Sequence, residues 1–210
     1  MMPHEKSTRP RLAVLISWRG SNLQSIIDSI ATGELAAQIV VVISNRADAP
    51  GLTRARAAGM EALFVSHRDY PDRNAYERAI VHELRARNVD LVCLAGFMRL
   101  IGAPLLDAFP NSILNIHPSL LPAFPGLDAQ RQAFEHGARI TGATVHLVNA
   151  DLDSGPIILQ AAVPILDDDT VDTLAARILI EEHKLYPAAI KIVLEGGWRL
   201  EGRRFVRGGG

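Results

Sequence analysis

Short apolar runs alternate along the chain with longer segments whose apolar residues recur at helical spacing. "RLAVLIS" (11–17), "IVVVIS" (39–44), "ALFVS" (62–66), "VDLVCLAGF" (89–97) and "SILNIH" (112–117) read as strands. They are apolar on both faces, as strands covered by helices on both sides must be. Helix-like segments lie between them, at about 22–32, 51–59, 73–87, 103–108 and 128–136. In "AYERAIVHELRARN", Tyr76, Ile80 and Leu84 share one stripe at i, i+4, i+8. This alternation predicts an α/β fold, a parallel, Rossmann-like sheet with right-handed crossovers. After residue 137 the pattern changes. "ITGATVHLV" (140–148) and "GPIILQAAVPI" (155–165) are two strands with no helix between them, predicted to pair as an antiparallel extension of the sheet. A long helix follows from about Thr170, which is suited to be its N-cap. "WRLEGRRFV" (198–206) reads as a final short strand or hairpin. The economical organisation is a single domain over 11–206, with 1–10 and 207–210 as frayed tails.

Composition narrows the class. The 210 residues are 48% hydrophobic and 21% charged, enough for one domain with a real core. A net charge of -1 gives no electrostatic case for nucleic acid or an anionic membrane. The N-terminus "MMPHEKSTRP" lacks the apolar stretch of a signal peptide. No apolar run approaches the ~18 residues of a membrane span. The one cysteine, Cys93, excludes an internal disulfide, suits a reducing compartment and reads as inert core. The expectation is a cytoplasmic protein, monomer or homodimer, acting on small molecules.

Polar residues at the strand ends carry the chemistry. The first strand runs into "SWRGSNLQ" (17–24), a turn that opens a helix, where α/β proteins hold phosphate on backbone N–H groups. Gly20 lets the backbone approach an oxyanion, and Ser21 and Asn22 add side-chain donors. A plain strand-to-helix turn with Ser21 as N-cap fits equally. The GxGxxG fingerprint and a Walker lysine are both absent, so neither a nicotinamide cofactor nor ATP is indicated. Asn115 and His117, at i and i+2, point to one face at the C-terminal end of the fifth strand, where open α/β sheets bind ligands. Pro118 ends that strand, and Pro122 and Pro125 restrict the loop. An amide N–H and a protonated imidazole suit a developing oxyanion, and an imidazole moves protons near neutral pH. A satisfied pair capping the strand is the alternative. In "NADLDSGP" (149–156), Asp151 reads as a turn former. Asp153 is either another or a carboxylate that orients an imidazolium. Glu182 falls on the apolar stripe Val171, Leu174, Ile178 and Leu185, so it is either ion-paired inside or binds something. "GFMRLIG" (96–102) leaves the fourth strand at the same edge, where its backbone suits a flat polar ring between Met98 and Ile101. Arg73 opens a helix against the dipole, which points to an anionic partner. His146 reads as a core or supporting residue. No Cys/His cluster has metal-ligand spacing, so no metal is expected.

Together "GSNLQSIID", "SNRADAPGLTRARAAG", "LAGFMR", "LNIHPSLLPAFPGL", "GATVHLV", "DLDSGPIILQ" and "EEHKLYP" resemble, in order and over nearly the whole chain, the phosphoribosylglycinamide (glycinamide ribonucleotide) formyltransferase family. The resemblance implies a Rossmann-like formyltransferase domain. It implies transfer of a formyl group from the cosubstrate 10-formyltetrahydrofolate to the amine of N1-(5-phospho-D-ribosyl)glycinamide, in purine biosynthesis. By it Asn115, His117 and Asp153 match the catalytic trio, and Gly20, Ser21 and Asn22 the ribonucleotide-phosphate loop. Glu182 matches the ribose-binding carboxylate. Met98, Arg99, Leu100 and Ile101 match the folate-reading segment, together with Asn115, and Arg73 a basic residue near the folate. The chain departs from the pattern at Trp18 and Arg19, at Ser112, where a basic residue is usual, and at Asp128 and Gln130, where some members carry histidines. Arg19 is the candidate to compensate for Ser112 at the phosphate.

The nearest alternative is a formyltetrahydrofolate hydrolase, which shares the trio but usually carries an added N-terminal domain. A methionyl-tRNA formyltransferase would add a C-terminal RNA-binding domain and a basic surface. A non-catalytic nucleotide- or folate-binding module would have no need of an acid beside an oxyanion donor.

Overall fold

The computed structural model describes residues 9–208. The expected tails over 1–8 and 209–210 lie outside the described residues. Arg9 and Pro10 lead into the first strand, and the Pro10 carbonyl accepts from Gln38 N–H at 2.8 Å. Five βα units come first: β1 (Arg11–Ile16), α1 (Ser21–Ala31), β2 (Gln38–Ser44), α2 (Pro50–Ala57), β3 (Ala62–Phe64), α3 (Arg73–Ala86), β4 (Leu91–Leu94), α4 (Ala103–Ala108), β5 (Ile113–His117) and α5 (Ala129–Glu135). Then follow β6 (Ile140–Leu147), β7 (Ile157–Pro164), α6 (Val171–Glu195), β8 (Trp198–Glu201) and β9 (Arg204–Arg207). Arg207, expected in a tail, closes β9.

All nine strands form one sheet in the order β3-β2-β1-β4-β5-β6-β7-β9-β8. The first five in that order pair parallel, whereas β6 runs antiparallel to β5 and β7 antiparallel to β6. The expected Rossmann-like sheet with its antiparallel extension is thus present, joined at its far edge by the β8–β9 hairpin. β4 is shorter than its apolar run suggested. Gly96, at φ 74, turns the chain out of the sheet and frees residues 95–102 as a loop.

Strand alternation divides the core in two. Leu12, Val14, Ile16, Cys93, Leu114 and Ile116 face the side covered by α1, α2, α5 and α6. Ala13, Leu15, Val41, Ile43, Val92, Leu94 and Ile113 face α3 and α4. On that second face the apolar layer stops at Ile113. Farther along the strand, the same face presents Asn115 and His117. Among the described residues no helix is long and apolar enough to cross a membrane.

The long helix α6 starts in a capping box between Thr170 and Thr173, as Thr170 suggested. Its buried stripe runs through Leu174, Ile178, Glu182, Tyr186 and Ile190, with the half-buried Leu185 at its edge. Tyr186 is fully buried, and its hydroxyl reaches the carbonyls of Leu94 at 3.0 Å and Leu114 at 3.2 Å. One side chain therefore ties α6 to β4 and β5 at the edge where the site is built. Beside it, burial pushes the Cys93 thiol up to about 12, which leaves it unreactive. The Tyr186→Phe variant removes that donor without opening a cavity. It is expected to lower stability by about 1 kcal/mol and the Tm by roughly 2–4 °C. Thermal unfolding followed by circular dichroism measures this, and an unchanged Tm would show that the contact contributes nothing.

Candidate active site

The antiparallel register of β6 on β5 sets Asn115 opposite His146 and His117 opposite Thr144. Opposed residues share a face, so four polar side chains gather where the α3–α4 layer ends. His146 Nδ1 lies 2.9 Å from the Leu147 carbonyl, which can only accept, so the proton sits on Nδ1. Nε2 is then a lone pair, and it accepts from Asn115 Nδ2 at 3.2 Å. Asp153 enters from the β6–β7 turn at φ 47, a left-handed conformation that aspartate tolerates better than most residues. Its Oδ2 stands 3.3 Å from His117 Nδ1 and accepts the Gly126 N–H at 2.8 Å. Its Oδ1 lies 3.5 Å from Asn115 Nδ2 and 3.7 Å from His146 Nε2.

The structure thus brings Asn115, His117 and Asp153 together, and adds His146. His146 was singled out in the sequence without a partner. Its signal was the polar alternation Thr144–His146 in an otherwise apolar strand. Thr144 and Gln160 had no assigned role. Thr144 Oγ1 donates to the Ser119 carbonyl at 2.7 Å and accepts from Leu121 N–H at 3.1 Å and Gln160 Nε2 at 2.9 Å. These bonds hold the proline loop after β5.

His117 differs from expectation. It is 4% exposed, and Nε2 donates to the Phe124 carbonyl at 2.9 Å while Nδ1 faces Asp153. Burial lowers its pKa, and the Phe124 carbonyl and the Asp153 charge only partly oppose this. The resting imidazole is therefore biased to the neutral form. Burial works to raise the Asp153 carboxyl. The positive form of His146, the Gly126 N–H and the positive form of His117 oppose it, and the carboxyl is held below its usual range.

A cleft of about 460 Å³ opens beside this cluster. Asn115, His146 and Asp153 line it, and so do Arg73, Arg99 and Leu100. Ile101 lines it as expected. Met98, the other expected wall, is 64% exposed and does not line it. Arg73 has its anionic partner inside the protein: Nε is 3.8 Å from the buried Glu77 carboxylate. Arg99 lies over the Tyr76 ring, 5.4 Å from its centroid.

The turn after β1 sits two strands from β5, on the order of 10 Å across the sheet. Gly20, not Ser21, is the N-cap of α1, at φ 70. A Cβ there would come within 2.9 Å of Gly51 Cα. Asn22 does not offer its amide N–H to solvent, because Nδ2 donates to Glu182 Oε2 at 2.7 Å with both groups buried. Glu182 is thus neither paired with an arginine nor free. Burial raises its pKa, and the Asn22 amide only partly offsets this. Asn22 Oδ1 has no hydrogen-bond partner. Trp18 stacks under Arg46, whose guanidinium lies 4.4 Å from the ring centroid and pairs with Asp48. Arg19 is exposed next to Gly20. Ser112 lies just before β5, at the end opposite His117. Five residues of strand separate them, roughly 17 Å, so that position cannot share a phosphate with Gly20. Asp128 precedes α5 and Gln130 lies in its first turn, neither lining the cleft.

Residues 10–190 match the family model described as formyl transferase. The chain is 47% identical over 188 residues to the human trifunctional purine biosynthetic protein adenosine-3, covering 90% of this chain but 19% of that protein. It thus spans about a fifth of the length of such relatives. It is 44% identical to the phosphoribosylglycinamide formyltransferase of Escherichia coli, covering 88% of this chain and 87% of that one. A solved glycinamide ribonucleotide transformylase 1 from Symbiobacterium toebii superposes with a TM-score of 0.96 at 55% identity, covering 100% of this chain and 99% of the other.

The buried imidazole predicts how stability follows pH. A histidine whose folded pKa is depressed binds fewer protons folded than unfolded, so acidification below its usual value of about 6.5 destabilises the fold. Asp153 acts lower down, since its stabilisation is present above about pH 3.9 and lost as pH falls through its depressed folded value. His117→Asn is therefore expected to lose less stability than the parent between about pH 7.5 and about pH 5.5. Urea midpoints at both pH values test this, and equal losses in the two proteins would contradict it.

Proposed function

The chain belongs to the formyl transferase family, and from that premise we propose that it transfers the formyl group of 10-formyltetrahydrofolate to the amine of N1-(5-phospho-D-ribosyl)glycinamide, a step of purine biosynthesis. The observation that carries this reading is the Asn115–His117–Asp153 cluster, with Asn115 and Asp153 lining an open cleft, two strands from a glycine turn that opens a helix. The cleft suits a flat, partly apolar cosubstrate. The backbone N–H groups at Gly20, Ser21 and Asn22 suit a phosphate, with Arg19 alongside. Glu182 is the acceptor for ribose hydroxyls. We place the reaction in the cytoplasm, carried out by a monomer or homodimer.

The amine attacks the formyl carbon, and its carbonyl becomes an oxyanion. Asn115 has two amide N–H groups. One is held on His146 Nε2, and the other has only the 3.5 Å contact to Asp153, so that one can turn to the oxyanion. The attacking nitrogen becomes cationic and must lose a proton before the bond to N10 breaks. Asp153 lines the cleft as the ionised neighbour of His117. A proton arriving at this pair is held between Asp153 Oδ2 and His117 Nδ1, with Nε2 anchored on Phe124. The pair then returns it to N10, directly or through water, as the C–N10 bond breaks. His117 becomes cationic during the reaction, not before it.

The first test is spectrophotometric release of tetrahydrofolate from 10-formyltetrahydrofolate, with and without the ribonucleotide. Release only with the ribonucleotide is the expected result. Equal release without it would mean that water takes the formyl group. In the Asn115→Ala variant kcat is expected to fall by about 10²–10³, and near-parental turnover would remove Asn115 from the oxyanion role.

A further inference from the structure

The segment from Met98 to Gly102 is tied to the protein at its two ends and nowhere between them along its backbone. At the first end, Met98 N–H donates to Ser17 Oγ at 2.8 Å. The same hydroxyl donates to Asn45 Oδ1 at 2.7 Å, so its lone pair is directed at Met98. At the second end, Gly102 N–H donates to Glu77 Oε1 at 2.8 Å, while Glu77 Oε2 is buried with no hydrogen-bond partner among the described residues. Between these anchors the backbone groups of Arg99, Leu100 and Ile101 make no hydrogen bond among the described residues. All three residues line the cleft. Three consecutive peptide units with unpaired polar groups beside a cleft suit a ligand that presents donors and acceptors along one edge.

Neither Ser17 nor Glu77 lines the cleft, and both are buried, Glu77 to 2% exposure. A buried carboxylate is costly to keep. Burial raises the Glu77 pKa, which the Gly102 and Leu105 N–H groups, then Arg73 and Arg99, only partly offset. The place of Gly102 fits the same purpose, since a Cβ there would meet both Glu77 carboxylate oxygens at 3.1 Å. We propose that Ser17, oriented by Asn45, and Glu77 are positioning residues that hold the two ends of residues 98–102 so that the free backbone of 99–101 reads the ring of the formyl donor. This rests on the function proposed above.

Two readouts test it, in Ser17→Ala, Glu77→Gln and Glu77→Ala. The KM for 10-formyltetrahydrofolate is expected to rise about tenfold in Ser17→Ala and Glu77→Ala, the equivalent of one ordinary hydrogen bond. Glu77→Gln keeps an acceptor for Gly102 and is expected to rise less. The kcat and the KM for the ribonucleotide are expected to stay within about twofold, the pattern of lost ground-state binding. A purely structural role would instead lower the Tm and leave the KM values unchanged, or raise both KM values alike; either outcome overturns the proposal. Amide hydrogen exchange is the second readout, and it needs no substrate. Faster exchange at Met98 in Ser17→Ala and at Gly102 in Glu77→Ala is expected, with a smaller change in Glu77→Gln, and unchanged exchange in the alanine variants overturns the anchoring. If Glu77→Ala does not fold, Ser17→Ala and Glu77→Gln decide the matter. If the parent shows no saturable use of 10-formyltetrahydrofolate, the proposed function fails, and exchange still decides whether the anchors hold the segment.

Discussion

Asn115 meets His146 because β6 turns back along β5 instead of crossing over to lie parallel. An antiparallel pair sets residues directly opposite one another, with their side chains on one face. The rest of the site depends on that register. A slip of one residue would bring Ile116 and Val145 to the cleft and send the polar set into the apolar layer beneath α6. Leu114 and Ile116 on the opposite face hold the register, since they can be satisfied only against α6 and its neighbours. A bulge in the pairing of β6 with β7 falls at Val145/His146, where the chain returns from the turn that carries Asp153. One strand pairing thereby positions an amide, two imidazoles and a carboxylate.

Three carboxylates lie buried near this edge, and each is compensated differently. Asp153 has a backbone N–H and two imidazoles, and these hold it ionised against burial. Glu77 has backbone N–H groups with two arginines at a distance, and burial prevails. Glu182 has one neutral amide, and burial prevails there as well. Asp153 is the one of the three set against imidazoles, whose positive form favours the carboxylate. This difference also separates their uses. The carboxylate that lines the cleft is the one kept charged. A hydroxyl donated to Glu182 by a ligand would work against its desolvation, in line with a binding role.

Much of this was legible in local pattern. Strands apolar on both faces required helices on both sides, and the two-residue spacing of Asn115 and His117 required a shared face. Glu182 on a buried stripe had to find a donor. What escaped the sequence depended on which distant segments meet. Ser112 looks close to Asn115 in the chain but lies at the other end of the strand, because a strand converts three residues into roughly 10 Å. Asn22 looked like a free donor until α6 brought Glu182 against it. His117 looked exposed to a ligand until the proline loop folded Phe124 onto its Nε2. Met98 looked like a cleft wall, yet the anchoring of its N–H to Ser17 goes with a side chain left outside. The resemblance points to positions in the chain, and it could not supply these contacts.

The location of the cleft follows from the uneven covering of the sheet. On one face α6 runs past β4, β5, β6 and β7, and the apolar layer is continuous. On the other, α3 and α4 reach only as far as Ile113. A helix over the remaining strands would bury Asn115 and His146, and their polar groups would then need internal partners. Leaving that end open avoids this, but it exposes apolar side chains at the rim. Leu100 and Leu152, both lining the cleft, are each 57% exposed. Exposed apolar side chains beside a polar cluster mark a binding groove, and a bound molecule with apolar surface covers them. The apolar and polar lining together favour an occupant with apolar surface for the leucines and a polar group that reaches Asn115.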